Sequence, residues 1–314
     1  MLELRGDAAM VKLNARMAAL LTLPPLLWAG NAVVGRMMVG SVPPLALNAL
    51  RWLLAGVLLL PLGWRVVATP PARAAVRRRW RELALLGFLG VGCYNALQYL
   101  ALTTSTPINV TLIAASSPLW MMGIGAVLYG VRPRGREWVG AACSLAGVLV
   151  VLSRGDPSAL ARVHFVTGDL LMLAAVAAWA FYSWLLARPP ASMRGEARPQ
   201  WNWAELLLVQ TLFGGCFAGA AAGTEALLTH AAVRWSPTVG FALAYVAIGP
   251  SLIAYRCWGQ GVAAVGPAVA AFFANLTPLF AATLSAALLG ETPQPYHGLA
   301  FALIVAGIAV SARR

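Results

Sequence analysis

The sequence is short of charge. Only 11% of its 314 residues are Asp, Glu, Lys or Arg, while 60% are hydrophobic; a soluble domain carries about 25% charged residues. A globule in water cannot hide that much apolar surface, because part of any folded surface faces solvent. A soluble fold is therefore excluded. The four cysteines, Cys93, Cys143, Cys216 and Cys257, lie in apolar stretches and form no CxxC, so they read as small buried hydrophobes. The three histidines, His164, His230 and His297, fall in or near loops and do not cluster, which excludes a histidine metal centre. There is no Walker loop to cradle a nucleotide, and no cofactor is expected.

What is present is a series of long apolar stretches with the scarce charges bunched between them. A helix needs about 20 apolar residues to cross about 30 Å of hydrocarbon. Ten stretches qualify: 17–38, 44–63, 82–102, 107–129, 137–153, 168–187, 203–222, 238–258, 266–289 and 297–312. The first is too long for a cleaved signal segment and has no convincing cleavage site after it, so it reads as an uncleaved helix. Gly215 and Gly219, and Gly219 and Gly223, repeat the small-xxx-small spacing that lets helix backbones touch in lipid.

The net charge of +13 invites a nucleic-acid reading. The basic residues sit instead in short loops beside the apolar stretches, where cytoplasmic positive charge is expected. With the N-terminus in the cytoplasm, the inner segments hold Arg5, Lys12, Arg16, Arg65, Arg73, Arg77, Arg78, Arg79, Arg81, Arg132, Arg134, Arg136, Arg188, Arg194, Arg198, Arg313 and Arg314. The outer loops hold only Arg154, Arg162 and Arg234, and Arg36, Arg51 and Arg256 lie within stretches. This imbalance predicts a multi-pass protein of the cytoplasmic (inner) membrane with both termini inside. Its partners are the lipid bilayer and a small solute, not nucleic acid; a homodimer stays open.

The two halves match at an offset of 160. Pro107 pairs with Pro267, Pro118 with Pro278, Leu119 with Leu279, Gly130 with Gly290, Pro133 with Pro293, Ala146 with Ala306 and Gly147 with Gly307. Trp28 and Trp179 occupy similar places in stretches one and six at a different offset. A unit of five helices is odd, so its two copies must be inverted relative to each other. The expected fold is all-α and integral to the membrane, ten helices in two inverted five-helix repeats. The divisions are a tail at 1–16, a first repeat at 17–153, a periplasmic connector at 154–167 and a second repeat at 168–312. Inverted repeats mark secondary transporters, which alternate access to a central site.

Several segments resemble the EamA-type family of the drug/metabolite transporter superfamily. They are Leu27-Trp28-Ala29-Gly30-Asn31, Asn48-Ala49-Leu50-Arg51-Trp52-Leu53-Leu54-Ala55, Ser117-Pro118-Leu119, Thr277-Pro278-Leu279 with Leu289-Gly290-Glu291, and the paired Ala146-Gly147 and Ala306-Gly307. The resemblance covers nearly the whole chain. It implies export or exchange of metabolites, including amino acids. The chain departs from the family pattern at Val131, where a Glu would stand, and at Ala300, commonly Gly, which advises against giving Glu291 a mechanistic role.

Polar residues inside the stretches are the candidate substrate contacts. An ionised side chain at a helix centre costs roughly 2.5–3.5 kcal/mol on insertion scales, so Arg51 is the most informative: either a cation for a substrate carboxylate, or a structural ion holding carbonyls. Arg36, nearer a helix end, can snorkel, and Arg51→Ala is expected to impair transport more than Arg36→Ala. Arg256 also lies near an end. Asn95, Gln98 and Tyr99 share one helix face, with either substrate or interhelical hydrogen bonds as their purpose. Asn31, Gln210 and Asn275 complete the polar set, and Trp28, Trp179, Tyr182 and Tyr245 are candidates for stacking or for packing. Pro118 and Pro278 break backbone hydrogen bonding at matched places and are expected hinges. A water-filled cavity lined by Arg51 and the Asn95 face is expected between the halves. No Asp or Glu lies near the middle of a stretch: Glu82, Glu137, Asp169, Glu205 and Glu291 are all near ends. A mid-membrane carboxylate relay is therefore excluded, and any proton coupling falls to Glu205 or Asp169. The leading expectation is a non-enzymatic exporter of amino acids or related metabolites. Efflux of drugs, nucleobases or sugars is the alternative, with a membrane enzyme or receptor as the reading from another class.

Overall fold

The computed structural model describes residues 13–105, 107–162, 164–289 and 294–312. Arg5, Lys12, residues 290–293, Arg313, Arg314 and the side chain of Arg36 lie outside the described residues. All regular structure among the described residues is helical. Nine helices there are long and apolar enough to cross a membrane, and a bent pair supplies a tenth crossing when taken as one. The helices are α1 (Ala15–Met37), α2 (Pro44–Gly63), α3 (Trp80–Thr104), α4 (Pro107–Ala115 and Ser117–Tyr129, the bent pair), α5 (Gly135–Leu152), α6 (Thr167–Ala187), α7 (Trp203–Thr229), α8 (Pro237–Val265), α9 (Pro267–Ala274 and Thr277–Leu289) and α10 (Pro295–Ala312). Two short helices, 65–68 and 70–78, join α2 to α3.

Two helices outrun their expected ends. α7 continues to Thr229 because residues 224–229 are mostly good helix formers, and it stops where His230 turns left-handed at φ 53°. α8 runs through Gly259 and Gly261 to Val265 and is ended by Gly266 at φ 89°, a conformation open to glycine, with Pro267 starting the next helix.

The halves repeat their irregularities. α4 bends by 41° at Ser116, and α9 breaks at Asn275 and Leu276, two or three residues before the matched prolines. Pro118 has no N–H for the Ala114 carbonyl four residues back, and the Ser117 hydroxyl donates to that carbonyl instead at 2.5 Å. α3 and α8 each contain a π-helical stretch, Phe88–Cys93 and Ala247–Ile253, which overlap at the same offset of 160. In α8 the cause is Pro250, which cannot continue the α-pattern. The α5–α10 contact is reciprocal. A Cβ on Gly140 would lie 2.8 Å from the Gly307 carbonyl oxygen, and one on Gly147 would lie 2.8 Å from that of Ala300. Positions 140 and 147 of one helix are equivalent to 300 and 307 of the other, so the two helices cross antiparallel through the same patch.

Close helix contact elsewhere falls one position away from the expected glycines. A Cβ added at Gly215, Gly219 or Gly223 would meet nothing within 4 Å, whereas one added at Gly214 would run into the Gly87 carbonyl and Val91 of α3, and Ala218 is buried beside it. The expected contact at Gly215, Gly219 and Gly223 does not form; the small-xxx-small pair that makes it is Gly214 and Ala218, because α3 approaches α7 along that stripe. α2 lies antiparallel on α7: Gly56 meets Thr211, and Gly63 meets Ala204. Pro43 offers no side-chain cap to α2, and the Glu225 carboxylate of α7 accepts from Leu45 N (3.0 and 3.1 Å) and Ala46 N (2.9 Å) in its place. Glu225→Ala is expected to cost about 1–2 kcal/mol, read as a fall in melting temperature in detergent, because it strips the anion from a helix start.

Candidate functional site

Arg51 sits in the middle of α2 and is 1% exposed. Its Nε donates to Ser251 Oγ at 2.6 Å, and its Nη1 donates to Asn95 Oδ1 at 3.2 Å and Asn31 Oδ1 at 3.4 Å. Asn31 comes from α1, Asn95 from α3 just after its π-stretch, and Ser251 from the π-stretch of α8. Both halves of the chain thus converge on one guanidinium. Every partner is a neutral acceptor, and no carboxylate pairs with Arg51 among the described residues. A buried cation without a counter-charge is a standing electrostatic demand for an anion.

The π-stretches explain how Ser251 and Asn95 come to face Arg51. A π-turn rotates the residues after it and leaves carbonyls without their usual partners. The carbonyls at the equivalent positions 90 and 250 are both taken by aromatic donors: Tyr255 Oη donates to Gly90, and Trp28 Nε1 donates to Pro250 at 3.3 Å. Ser251 Oγ also donates to Val246 C=O at 2.8 Å, which fixes its lone pairs toward Arg51.

On one side of Arg51 lies an aromatic cluster. Trp179 has its ring centroid 5.4 Å from Trp28, 5.4 Å from Tyr94, 5.1 Å from Tyr182, 5.5 Å from Tyr255 and 5.4 Å from Trp258, and Trp52 packs on Tyr255 at 5.0 Å. On the other side is an apolar plug of Met38, Val42, Leu47, Val239, Ala242 and Leu243, with Val34 and Tyr99 against it. The expected open cavity is therefore closed around Arg51. Plug and aromatic cluster bury it from both ends, and Asn95 is only 5% exposed.

Of the expected site residues, the structure brings together Arg51, Asn31 and Asn95 with Trp28, Trp179 and Tyr182 close by. Tyr99 lies one turn from Asn95 with its hydroxyl enclosed and without a partner among the described residues. Gln98 is half-buried. Gln210 belongs to the edge of the aromatic cluster, where its Oε1 accepts from Tyr182 Oη at 3.0 Å. Asn275 is held elsewhere: its amide donates to Ser144 Oγ of α5 at 2.8 Å, tying down the α9 break. Tyr245 packs its hydroxyl on Gly30 and donates to Leu27 C=O at 3.1 Å. Arg256 stacks on Trp203 at 4.6 Å and lines a separate cavity of about 300 Å³ with Leu252 and Gln260. The end-located acids are engaged at helix starts. Asp169 accepts from Ser105 Oγ, from Asn109 at 2.9 Å and from Val166 N at 2.8 Å, and Glu205 accepts from Asn202 N at 2.7 Å.

Sequence reasoning missed Ser251, Tyr255 and Trp258. The available signal was Gly249-Pro250 in the middle of an apolar stretch, which marks a backbone break, with a serine directly after it.

Comparison with known proteins follows the same architecture. The model of the EamA-like transporter family matches residues 15–153 and again 166–313. The chain is 29% identical over 284 residues to the uncharacterized inner membrane transporter YedA of Escherichia coli K12, covering 89% of this chain and 85% of YedA. It is 27% identical over 288 residues to the aromatic amino acid exporter YddG of Ancylobacter novellus, covering 91% and 93%. A crystal structure superposes with a TM-score of 0.73 at 24% identity over 95% of this chain and 96% of the other, which shows a shared fold. With a family model matched twice along nearly its whole length and a bundle of apolar helices built to the same two-repeat plan, this chain is a multi-pass membrane protein that belongs to the EamA-like transporter family.

Proposed function

We propose that the protein is a secondary transporter that moves small carboxylate-bearing metabolites, amino acids first among them, out across the cytoplasmic membrane by alternating access. The observation that carries the reading is Arg51, a sealed cation whose partners are neutral side chains drawn from both halves. A carboxylate accepting from its planar fork replaces neutral acceptors with a charged, bidentate one, and separation of the halves breaks the shell that encloses it. The aromatic cluster beside it suits an apolar or aromatic side chain, and YddG is named as an aromatic amino acid exporter.

Alternating access rests on inversion of the repeats. Three features support it: the matched breaks in α4 and α9, the matched π-stretches, and the reciprocal antiparallel α5–α10 contact. The Pro118 and Pro278 breaks are the hinges in this reading, and the basic loops support an orientation with both termini inside, in which the apolar plug is the outer closure.

The test is flux. Purified protein in liposomes is offered labelled amino acids, nucleobases and sugars, with and without a pH gradient. Amino-acid uptake above empty liposomes is the expected result, and the gradient arm reads proton coupling directly. Folded protein that moves nucleobases or sugars but no amino acid overturns the substrate class; folded protein inert to the whole panel and to a set of cationic and neutral drugs overturns transport itself.

A further inference from the structure

We propose that Asn48 and Tyr99 form a second polar station beside Arg51, which takes the ammonium group of a zwitterionic α-amino acid whose carboxylate lies on Arg51. The inference rests on the reading of Arg51 given above and adds a recognition element to it.

Asn48 is 1% exposed, yet neither its Oδ1 nor its Nδ2 meets a hydrogen-bond partner among the described residues. The hydroxyl of Tyr99 is enclosed and unpartnered in the same way. Buried polar groups are nearly always paired, so two orphans in one place point to something that pairs them. Their place is set by helix register. Asn48 is three residues before Arg51, on the same face of α2, where side chains stand about 5–6 Å apart at Cβ. Tyr99 is four residues after Asn95, which accepts from Arg51, and its ring rests 3.9 Å from where a Cβ on Gly35 would be, one turn beyond Asn31 on α1. Both therefore lie on the plug side of the guanidinium, and Tyr99 itself packs into the plug with Leu47. Three other unpartnered buried groups, Trp52 Nε1, Arg136 Nε and Thr211 Oγ1, are not part of the station: Trp52 and Arg136 offer only donors, which an ammonium cannot use, and Thr211 meets Gly56, more than a turn away on the opposite side of Arg51.

The chemistry of the pair selects the ligand. Asn48 Oδ1 and Tyr99 Oη accept from an ammonium, while Asn48 Nδ2 donates to a carboxylate oxygen already held by Arg51. The acceptors are neutral, so they recognise the cation without trapping it, as release requires.

The experiment compares phenylalanine with 3-phenylpropionate, and leucine with 4-methylpentanoate, as competitors and as labelled substrates in liposomes. The wild type is expected to prefer the amino compound by about tenfold or more, each tenfold corresponding to about 1.4 kcal/mol. The Asn48→Leu/Tyr99→Phe double variant is expected to bring each pair within about twofold by losing the amino compound alone. Asn48→Ala and Tyr99→Phe singly serve if the double variant does not fold. Folded variants that keep the full preference overturn the station and leave these side chains holding a buried water. A wild type that carries both members of each pair equally also overturns it, while leaving the carboxylate role of Arg51 intact. If Arg51→Gln leaves the flux of both members of each pair unchanged, the underlying reading has failed instead.

Discussion

Arg51→Gln is expected to lower flux of a carboxylate substrate about ten- to hundred-fold while leaving the melting temperature nearly unchanged. Both halves of that expectation follow from one balance. The charge is costly where it lies, by roughly 2.5–3.5 kcal/mol on insertion scales, and its hydrogen bonds to Asn31, Asn95 and Ser251, two of them long at 3.4 and 3.2 Å, together return an amount of the same order. Removing the cation removes both contributions, so the fold is close to indifferent. A bound carboxylate is not, because a charge-assisted bond of about 1.5–3 kcal/mol goes with it. Arg51→Lys keeps the charge but loses the fork that reaches three partners at once, and is expected to fall between wild type and Gln. The measurement is flux and thermal unfolding on the same preparations. A variant that loses its fold along with its flux would assign Arg51 to structure. Normal flux in a folded Arg51→Gln would remove it from the site.

The second large effect is expected at Gly214. A methyl group there would meet the Gly87 carbonyl and Val91 well inside contact distance, and Gly87 is itself pressed against the Gln210 carbonyl, at 2.6 Å for an added Cβ. A backbone carbonyl cannot swing aside as a side chain can, so α3 and α7 would have to part. Overpacking costs about 1–3 kcal/mol and occasionally more; with backbone on both sides, Gly214→Ala belongs at the upper end. Because α3 carries Asn95 beyond its π-stretch, parting it from α7 also disturbs the Arg51 shell. Gly215→Ala is the control, since nothing lies within 4 Å of its added methyl. Thermal unfolding in detergent should show a loss of several degrees or outright misfolding for Gly214→Ala and no loss for Gly215→Ala. Equal behaviour of the two would mean that the α3–α7 contact is not as close as described.

The helices were legible because lipid imposes a one-dimensional rule: an apolar run of sufficient length, bounded by charge, crosses. The ends of α7 and α8 were not, because glycines inside a helix and glycines that end one look alike until the backbone angle at Gly266 or His230 is known. The matched prolines were legible as breaks, though the bends fall just before them, at Ser116 and at Asn275 and Leu276. Of the polar residues, Arg51 and Asn95 announced themselves by cost, since a charge or an amide in an apolar run demands a partner. Asn275 announced itself equally and turned out to be paired with Ser144, 131 residues away in sequence. Cost alone cannot tell a substrate contact from a helix tie.

The sequence by itself determined the solvent, the helical class, the family and the duplication, because each depends on composition, run length or ordered residue matches along the chain. Only the tertiary structure decided which face of α7 is the contact face, which of the buried polar residues share one guanidinium, and which are left without partners. Those questions turn on the azimuth of each helix, and azimuth here is reset by the π-stretches of α3 and α8 and by the bends of α4 and α9. A π-turn changes which side chains point inward without changing the hydrophobicity of the run that contains it. That is why Ser251, unremarkable between Pro250 and Leu252 in the sequence, stands 2.6 Å from Arg51 in the fold.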